Sequence, residues 1–338
     1  MTFLIQQTLI YAIPLMIVAL AGVFAERSGI INLALEGIMI FGAFAGVLFV
    51  NLTQKAGTFA EAKAAGDWVA LQGFMILAMV VAAVLGALFS LLLSFASVNL
   101  KADQTIGGTA LNLMAPALVL FFIRIIANQN TLQMAEGDHA SWFMIKKSFF
   151  GYGRNDEMGF FGSTFIDKTY LATYICIILF VVLSILLYKT RFGLRLRSCG
   201  ENPQAADSLG INVYKMRYAG VLISGFLGGI GGLAYTVAAG SGFNSDVGGY
   251  GFLALAVMIF GNWKPFPILA SSVFFALFKV IAAYSSSLSF LPKFDGVKEI
   301  SNFYQMLPYI VTMIVLIFTS KNSQAPKAEG IPYDKGSR

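Results

Sequence analysis

Apolar residues gather into nine runs, at about 3–25, 30–50, 69–97, 106–126, 169–188, 218–239, 249–262, 265–284 and 304–320. Most approach the roughly 20 residues that a helix needs to cross a hydrocarbon core about 30 Å thick. Together they occupy over half of the 338 residues, and only 12% of the chain is charged, where about 25% is usual in soluble domains. The pattern predicts an all-α, polytopic integral membrane protein of eight to ten spans, with residues 1–320 as one transmembrane domain. The run at 249–262 is short for a full crossing. The Gly-rich stretch from Gly240 to Gly251 predicts irregular backbone there, which a membrane protein tolerates where it lines a cavity or packs against protein.

Cations set the expected orientation, because positively charged loops stay cytoplasmic. The loop 189–217 holds Lys189, Arg191, Arg195, Arg197, Lys215 and Arg217, and the polar tail 321–338 holds Lys321, Lys327, Lys335 and Arg338. Four runs separate loop from tail, so both fall on one side, the cytoplasmic one. Counting back through nine spans places the N-terminus and the segment 127–168 outside. No Lys or Arg precedes Arg27, so the first run reads as a retained span rather than a cleavable signal peptide.

The formal charge of +6 does not point to nucleic acid, because the cations cluster at the ends of apolar runs instead of forming a basic surface with interleaved aromatics. One histidine, His139, leaves no His-rich metal site and no His-based acid/base pair. The two cysteines, Cys176 in an apolar run and Cys199 in the basic loop, are placed too differently to pair. No catalytic constellation, metal set or cofactor motif is visible, and without a single Gly-Lys dipeptide there is no loop of the type that cradles ATP phosphates. An intramembrane enzyme is disfavoured on the same grounds. An ion-coupled transporter is disfavoured because few acidic residues fall at mid-membrane.

Two i, i+4 glycine pairs, Gly225/Gly229 and Gly228/Gly232, predict close helix packing. A weak internal echo links Leu33-Ala-Leu35 and Met39-Ile-Phe-Gly42 to Leu253-Ala-Leu255 and Met258-Ile-Phe-Gly261. These runs cross in opposite senses on the topology above, as inverted repeats do. In the basic loop, Gly200 to Gly210 spells a very short helix: Asn202 as N-cap, Pro203 at the first helical position, Gly210 as a left-handed stop. Such a helix needs a partner to hold it. Its small face of Ala205, Ala206 and Leu209 is expected to let another protein's groove come close.

The string Gln204-Ala-Ala-Asp-Ser-Leu-Gly210 resembles the Glu-Ala-Ala, three residues, Gly pattern of the coupling helix in permease subunits of bacterial ABC importers, with glutamine in place of the acidic residue. Arg191 to Ile211 is similar to the branch that includes ribose, branched-chain amino acid and nucleoside permeases. The segments Glu26-Arg-Ser-Gly-Ile-Ile-Asn-Leu-Ala-Leu-Glu-Gly-Ile-Met-Ile-Phe-Gly-Ala-Phe44 and Lys101-Ala-Asp-Gln-Thr-Ile-Gly-Gly-Thr-Ala-Leu-Asn112 look like the nucleoside type in particular. The resemblance implies an inverted-repeat permease fold and a second homologous permease subunit. It also implies cytoplasmic ATPase subunits that bind the ATP, and an extracytoplasmic substrate-binding protein or lipoprotein. It places ATPase coupling on Glu201, Asn202, Pro203, Gln204, Ala205, Ala206, Asp207, Leu209 and Gly210. The external segment 127–168, with Glu136, Asp138, His139 and Lys146-Lys147, departs from the proline-rich stretch expected of the family.

Candidates for the substrate path are Asn32, Glu36, Asn112, Phe243 and Asn244. A helix starting near Ile30 would put Asn32 one turn before Glu36 on the same face, with Glu36 nearer the interface than the midplane. Glu36 is read either as functional or as a hydrogen-bond partner of a neighbouring helix or of the Ser28-Gly29 turn. Asn112 and Asn244 can both donate and accept, as a base or ribose edge requires. Phe243 and Asn244 are read equally as path lining or as plain loop structure. Ribose and branched-chain amino acids remain the alternative cargoes.

Overall fold

Backbone polar groups that leave water must bond within their own segment, and in this chain that requirement produces helices. A computed structural model describes residues 2–134, 141–153, 158–240, 242–285, 300–319 and 323–336. It contains α1 (Thr2–Arg27), α2 (Leu35–Lys55), α3 (Ala60–Ala65), α4 (Trp68–Ser94, continued by a π-turn over Phe95–Asn99) and α5 (Gln104–Ala127). The short α6 (Gly159–Phe165) and α7 (Leu171–Lys189) follow, then α8 (Arg191–Glu201), α9 (Pro203–Ser208) and α10 (Val213–Ala239). The chain continues through α11 (Tyr250–Phe260), α12 (Pro265–Ala283) and α13 (Ile300–Thr319). Among the described residues the sheet is limited to two residues per strand, β1 (Met144–Ile145) antiparallel to β2 (Thr169–Tyr170). Seven helices among the described residues, α1, α2, α4, α5, α7, α10 and α12, are long and apolar enough to cross a membrane. The architecture is polytopic and all-α.

Local chemistry sets the helix ends. Asp67 caps α4 through the amides of Val69 and Ala70, Asp103 caps α5 through that of Ile106, and Asn212 caps α10 through that of Lys215. Burial ranks the helices. The apolar windows of α1, α2 and α10 are 89%, 78% and 72% buried, those of α5 and α7 only 22%, so the first three form the centre and the last two the rim.

The centre is held by close backbone approach. A Cβ on Gly229 would collide with the carbonyl oxygen of Ala82 in α4, and one on Gly232 with that of Met39 in α2. Small residues at such crossings let dispersion contacts substitute for a hydrophobic driving force that lipid does not supply.

Two ends of the bundle are distinct. At one, called here the basic end, Arg27 of α1 pairs with Glu201 of α8 and the amide of Ala328 donates to the carbonyl of Gly200. At the other, the Gln6 side chain donates to the carbonyl of Asp167, and the side chain of Asn51 to that of Gln133. His139, Glu136 and Asp138 lie outside the described residues.

Candidate functional site

The chain does not start α2 at Ile30. Ser28 to Ala34 turn back into the bundle from the basic end without forming a helix, and α2 begins at Leu35. Gly29 at φ +95° makes the turn. Side chains from distant helices then take up the backbone. Gln104 accepts from the amide of Ile31 at 2.7 Å, Asn112 donates to the carbonyl of Leu33, and Asn112 Oδ1 accepts from the amide of Gly37 at 2.7 Å. Asn32 itself is fully buried, donating to Ser224 Oγ at 2.8 Å and accepting from the amide of Ala34. Asn32 and Glu36 therefore do not share a helix face, because side-chain hydrogen bonds replace the helical ladder over this stretch. Asn32 and Asn112 brace the segment that delivers Glu36.

Glu36 reaches from the first turn of α2 to the first turn of α11. Its Oε1 accepts from the amide of Gly249 at 3.0 Å and its Oε2 from that of Gly251 at 2.5 Å. Both N–H groups belong to the helix terminus that otherwise lacks intrahelical partners, and the carboxylate also meets the positive end of the helix dipole. From this clamp α2 runs toward the 127–168 end and α11 toward the basic end, where Trp263 donates to Glu26 Oε2 at 2.5 Å. The 11 residues of α11 measure about 16 Å, roughly half a hydrocarbon core. Glu36 thus sits at mid-depth and not near an interface, since the re-entrant turn carries α2's start inward.

The clamp forms one wall of a cavity of 540 Å³ lined by Tyr11, Tyr235, Asp246, Tyr250, Lys279 and Tyr309, with Gly248, Gly249, Ala282 and Ala283 completing it. Lys279 Nζ donates to the carbonyl of Gly248 at 2.8 Å and lies 5.3 Å and 5.2 Å from the ring centres of Tyr250 and Tyr309. Tyr235 packs on Tyr250 at 4.3 Å. The Tyr250 side chain is buried, and its hydroxyl finds no partner among the described residues. Asp246 accepts from the amide of Gly248 at 2.9 Å. One turn, Asp246 to Gly251, therefore joins a cation and two carboxylates to four phenol rings.

Sequence reasoning missed the lysine and all four tyrosines. The available signal was Lys279 itself, an ionisable residue inside the run 265–284. Of the other path candidates, Phe243 is 2% exposed and forms a two-bond bridge with Leu132, while Asn244 is exposed beside it. Neither lines the cavity.

At the basic end, Asn202 Oδ1 accepts from the amide of Ala205 at 3.0 Å, Pro203 opens α9, and Gly210 stands at φ +80°. Ala205 and Leu209 face outward, but Ala206 does not: it packs inward with Cys199, Val213 and Tyr333. The expected small face is split because the tail covers part of it. Residues 324–336 lie across this end, with Arg217 donating to the carbonyl of Ile331, Lys101 paired with Asp334 at 2.6 Å, and Lys335 3.9 Å from Asp207. Burial pushes the Cys199 thiol up to about 11. Glu329 hydrogen-bonds Glu26, and its burial pushes the Glu329 carboxyl up to about 7.

Among the described residues no group of three His, Cys, Asp or Glu side chains could hold a metal ion. What the arrangement offers is a polar, aromatic compartment at a helix break and a rigid, exposed helix at the basic end.

Comparison with known proteins agrees. Residues 4–319 match the family described as branched-chain amino acid transport system / permease component. The nucleoside ABC transporter permease protein NupC of Lactococcus lactis subsp. cremoris is 42% identical over 98% of this chain and 96% of its own. The guanosine ABC transporter permease protein NupQ of Bacillus subtilis is 39% identical over 100% and 98%. A second Lactococcus protein, the nucleoside permease NupB, is 24% identical over 78% and 68%. No solved structure matches the chain.

Proposed function

Because the chain belongs to the branched-chain amino acid transport system permease family, we propose that it is the translocating subunit of an ATP-driven importer whose cargo is a nucleoside. The observation that carries the cargo is the cavity at the α11 break. Tyrosine rings offer flat apolar surface, while Asp246 and Lys279 offer acceptor and donor groups for a polar solute. The ends of a leucine zwitterion could pair with Asp246 and Lys279, but leucine, like a free sugar, has no planar ring to stack on the tyrosines. The names of the two full-length relatives support the same cargo.

Energy enters from separate ATPase subunits that seat on the basic end around α9, which is the cytoplasmic side, with the N-terminus outside. The cation distribution supports this orientation. A second, related permease subunit completes the channel, and the relation to NupB, a second nucleoside permease of the organism that has NupC, favours a heterodimer. An extracytoplasmic binding protein or lipoprotein delivers the solute.

Uptake into proteoliposomes containing the assembled complex, with and without ATP, tests this reading. Labelled nucleosides should accumulate only with ATP. Accumulation of ribose or leucine in their place would assign the other branch of the family.

A further inference from the structure

We infer that Lys279 is a specificity-determining residue for the nucleobase, favouring bases that present an oxo group over bases that present an amino group at the same edge; this rests on the nucleoside reading above. An ammonium has three hydrogens to donate and nothing to accept with. The Gly248 carbonyl takes one at 2.8 Å, and the Tyr309 hydroxyl, at 3.5 Å, stands at the limit of a hydrogen bond. At least one donor remains, held between the faces of Tyr250 and Tyr309. The cation fills the space between those two faces, so a planar base stacks on the neighbouring lining rings, Tyr11 and Tyr235, beside it.

A stacked base in this cage presents its edge to Lys279. Guanine and hypoxanthine offer O6 and N7, two adjacent acceptors, and uracil offers O4. Adenine offers N7 beside an N6 amino group and cytosine an N4 amino group, so an N–H would confront the ammonium.

One further group fixes the pose. Asp246 Oδ1 is occupied by the Gly248 amide, leaving Oδ2 to accept from the ribose hydroxyls. A solute that stacks, reaches Asp246 with its ribose and meets Lys279 with an oxo edge satisfies both charged groups at once.

The test is initial uptake of labelled guanosine, inosine, uridine, adenosine and cytidine by the full complex, for the wild type, Lys279→Met and Lys279→Arg. The site is visited after the solute has been delivered, so its preference falls on maximal rate, and the half-saturating concentration stays with the delivering protein. The wild type should move the three oxo-bearing nucleosides faster. Lys279→Met, which keeps the length of the stem, also loses the bond to Gly248 and so slows every cargo, but it should lower the maximal rates of the oxo-bearing three about tenfold more than those of adenosine and cytidine, by loss of one specific base contact. Lys279→Arg should restore part of the difference.

A wild type with equal maximal rates for all five would overturn the inference without any variant. So would an equal loss for all five in Lys279→Met, which would mean that the lysine holds the Gly248 turn or the ribose. Transport of leucine or ribose with no nucleoside uptake at all would instead remove the nucleoside reading itself, a result that the five-nucleoside comparison keeps separate.

Discussion

The carboxylate of Glu36, at the start of α2, holds the amide of Gly251 at the start of α11, at 2.5 Å and at mid-depth in the bundle. Tyr250, between the two amides that Glu36 binds, is thereby fixed on the cavity wall. Glu36→Gln keeps the shape but turns one acceptor into a donor that faces an N–H. Loss of a hydrogen bond to a buried charged group costs about 1.5–3 kcal/mol. The variant should show a lowered unfolding midpoint in detergent and a strongly reduced transport rate with its ATPase still bound. Wild-type values for both would mean that the clamp does not position the turn.

Gly229 offers a cleaner test of packing. A methyl group there meets the carbonyl of Ala82 and the Cα of Ala83, backbone that has no room to retreat. Gly229→Ala should destabilise the bundle by about 1–3 kcal/mol, as overpacking does. Gly73→Ala on α4 is the control, since a Cβ there meets nothing within 4 Å. It should leave stability unchanged or raise it by up to about 1 kcal/mol, the usual gain on replacing a helical glycine. Thermal unfolding of the two variants should move in opposite directions or differ by that sum.

Much of this organisation was legible in the chain. Small-residue spacing announced the Gly229 and Gly232 crossings, the short run at 249–262 announced the broken helix, and the Asn202, Pro203 and Gly210 signals announced α9. What escaped depends on residues far apart. The re-entrant turn before Leu35 exists because Gln104, Asn112 and Ser224 satisfy it, and no local pattern carries that information. Tyr11, Tyr235, Tyr250 and Tyr309 read like any aromatics in apolar runs until the fold collects them. Ala206 faces inward only because Tyr333, on the tail, covers it.

Tail docking should depend on pH. The Glu329 carboxyl is raised from its ordinary 4.5 to about 7 by burial, the largest cause, with its hydrogen bond to Glu26 and the nearby Arg27 opposing. A carboxyl raised on docking binds its proton more tightly in the docked form, so the undocked form loses protons first as pH rises. Docking is strongest below 4.5 and weakens as pH climbs through about 7. Hydrogen exchange of the 324–336 amides, corrected for intrinsic rates, should show protection falling between pH 5 and 8, limits chosen as roughly spanning that titration. Glu329→Gln should flatten the profile. A flat profile in the wild type would remove the carboxyl from tail docking.

Orientation needs a thiol that reagents can reach, and neither native one qualifies. Cys176 and Cys199 are both buried. Leu209→Cys places a reactive thiol at a position that is 81% exposed. A membrane-impermeant maleimide should label it in inverted vesicles stripped of the ATPase subunits and not in intact cells. Labelling from outside would reverse the topology.

Leu209 and Ala206 also separate docking from folding at α9. Leu209 projects outward, so Leu209→Asp removes an apolar contact that only a partner can make and leaves the subunit's own packing alone. Ala206→Arg forces a long cation into the contact with Cys199, Val213 and Tyr333. A coupling element must be rigid, since a ligand shifts a conformational equilibrium only through contacts that differ between states, and a yielding helix would absorb the motion. Leu209→Asp should keep the wild-type unfolding midpoint while its ATPase copurifies poorly or hydrolyses ATP without transport. Ala206→Arg should lower the midpoint and expose the tail to protease. Gly210→Val puts a β-branched residue at φ +80° and should resemble Ala206→Arg in stability. If Leu209→Asp imports nucleosides at the wild-type rate with its ATPase fully bound, α9 is a connector and the ATPase seats elsewhere on the basic end.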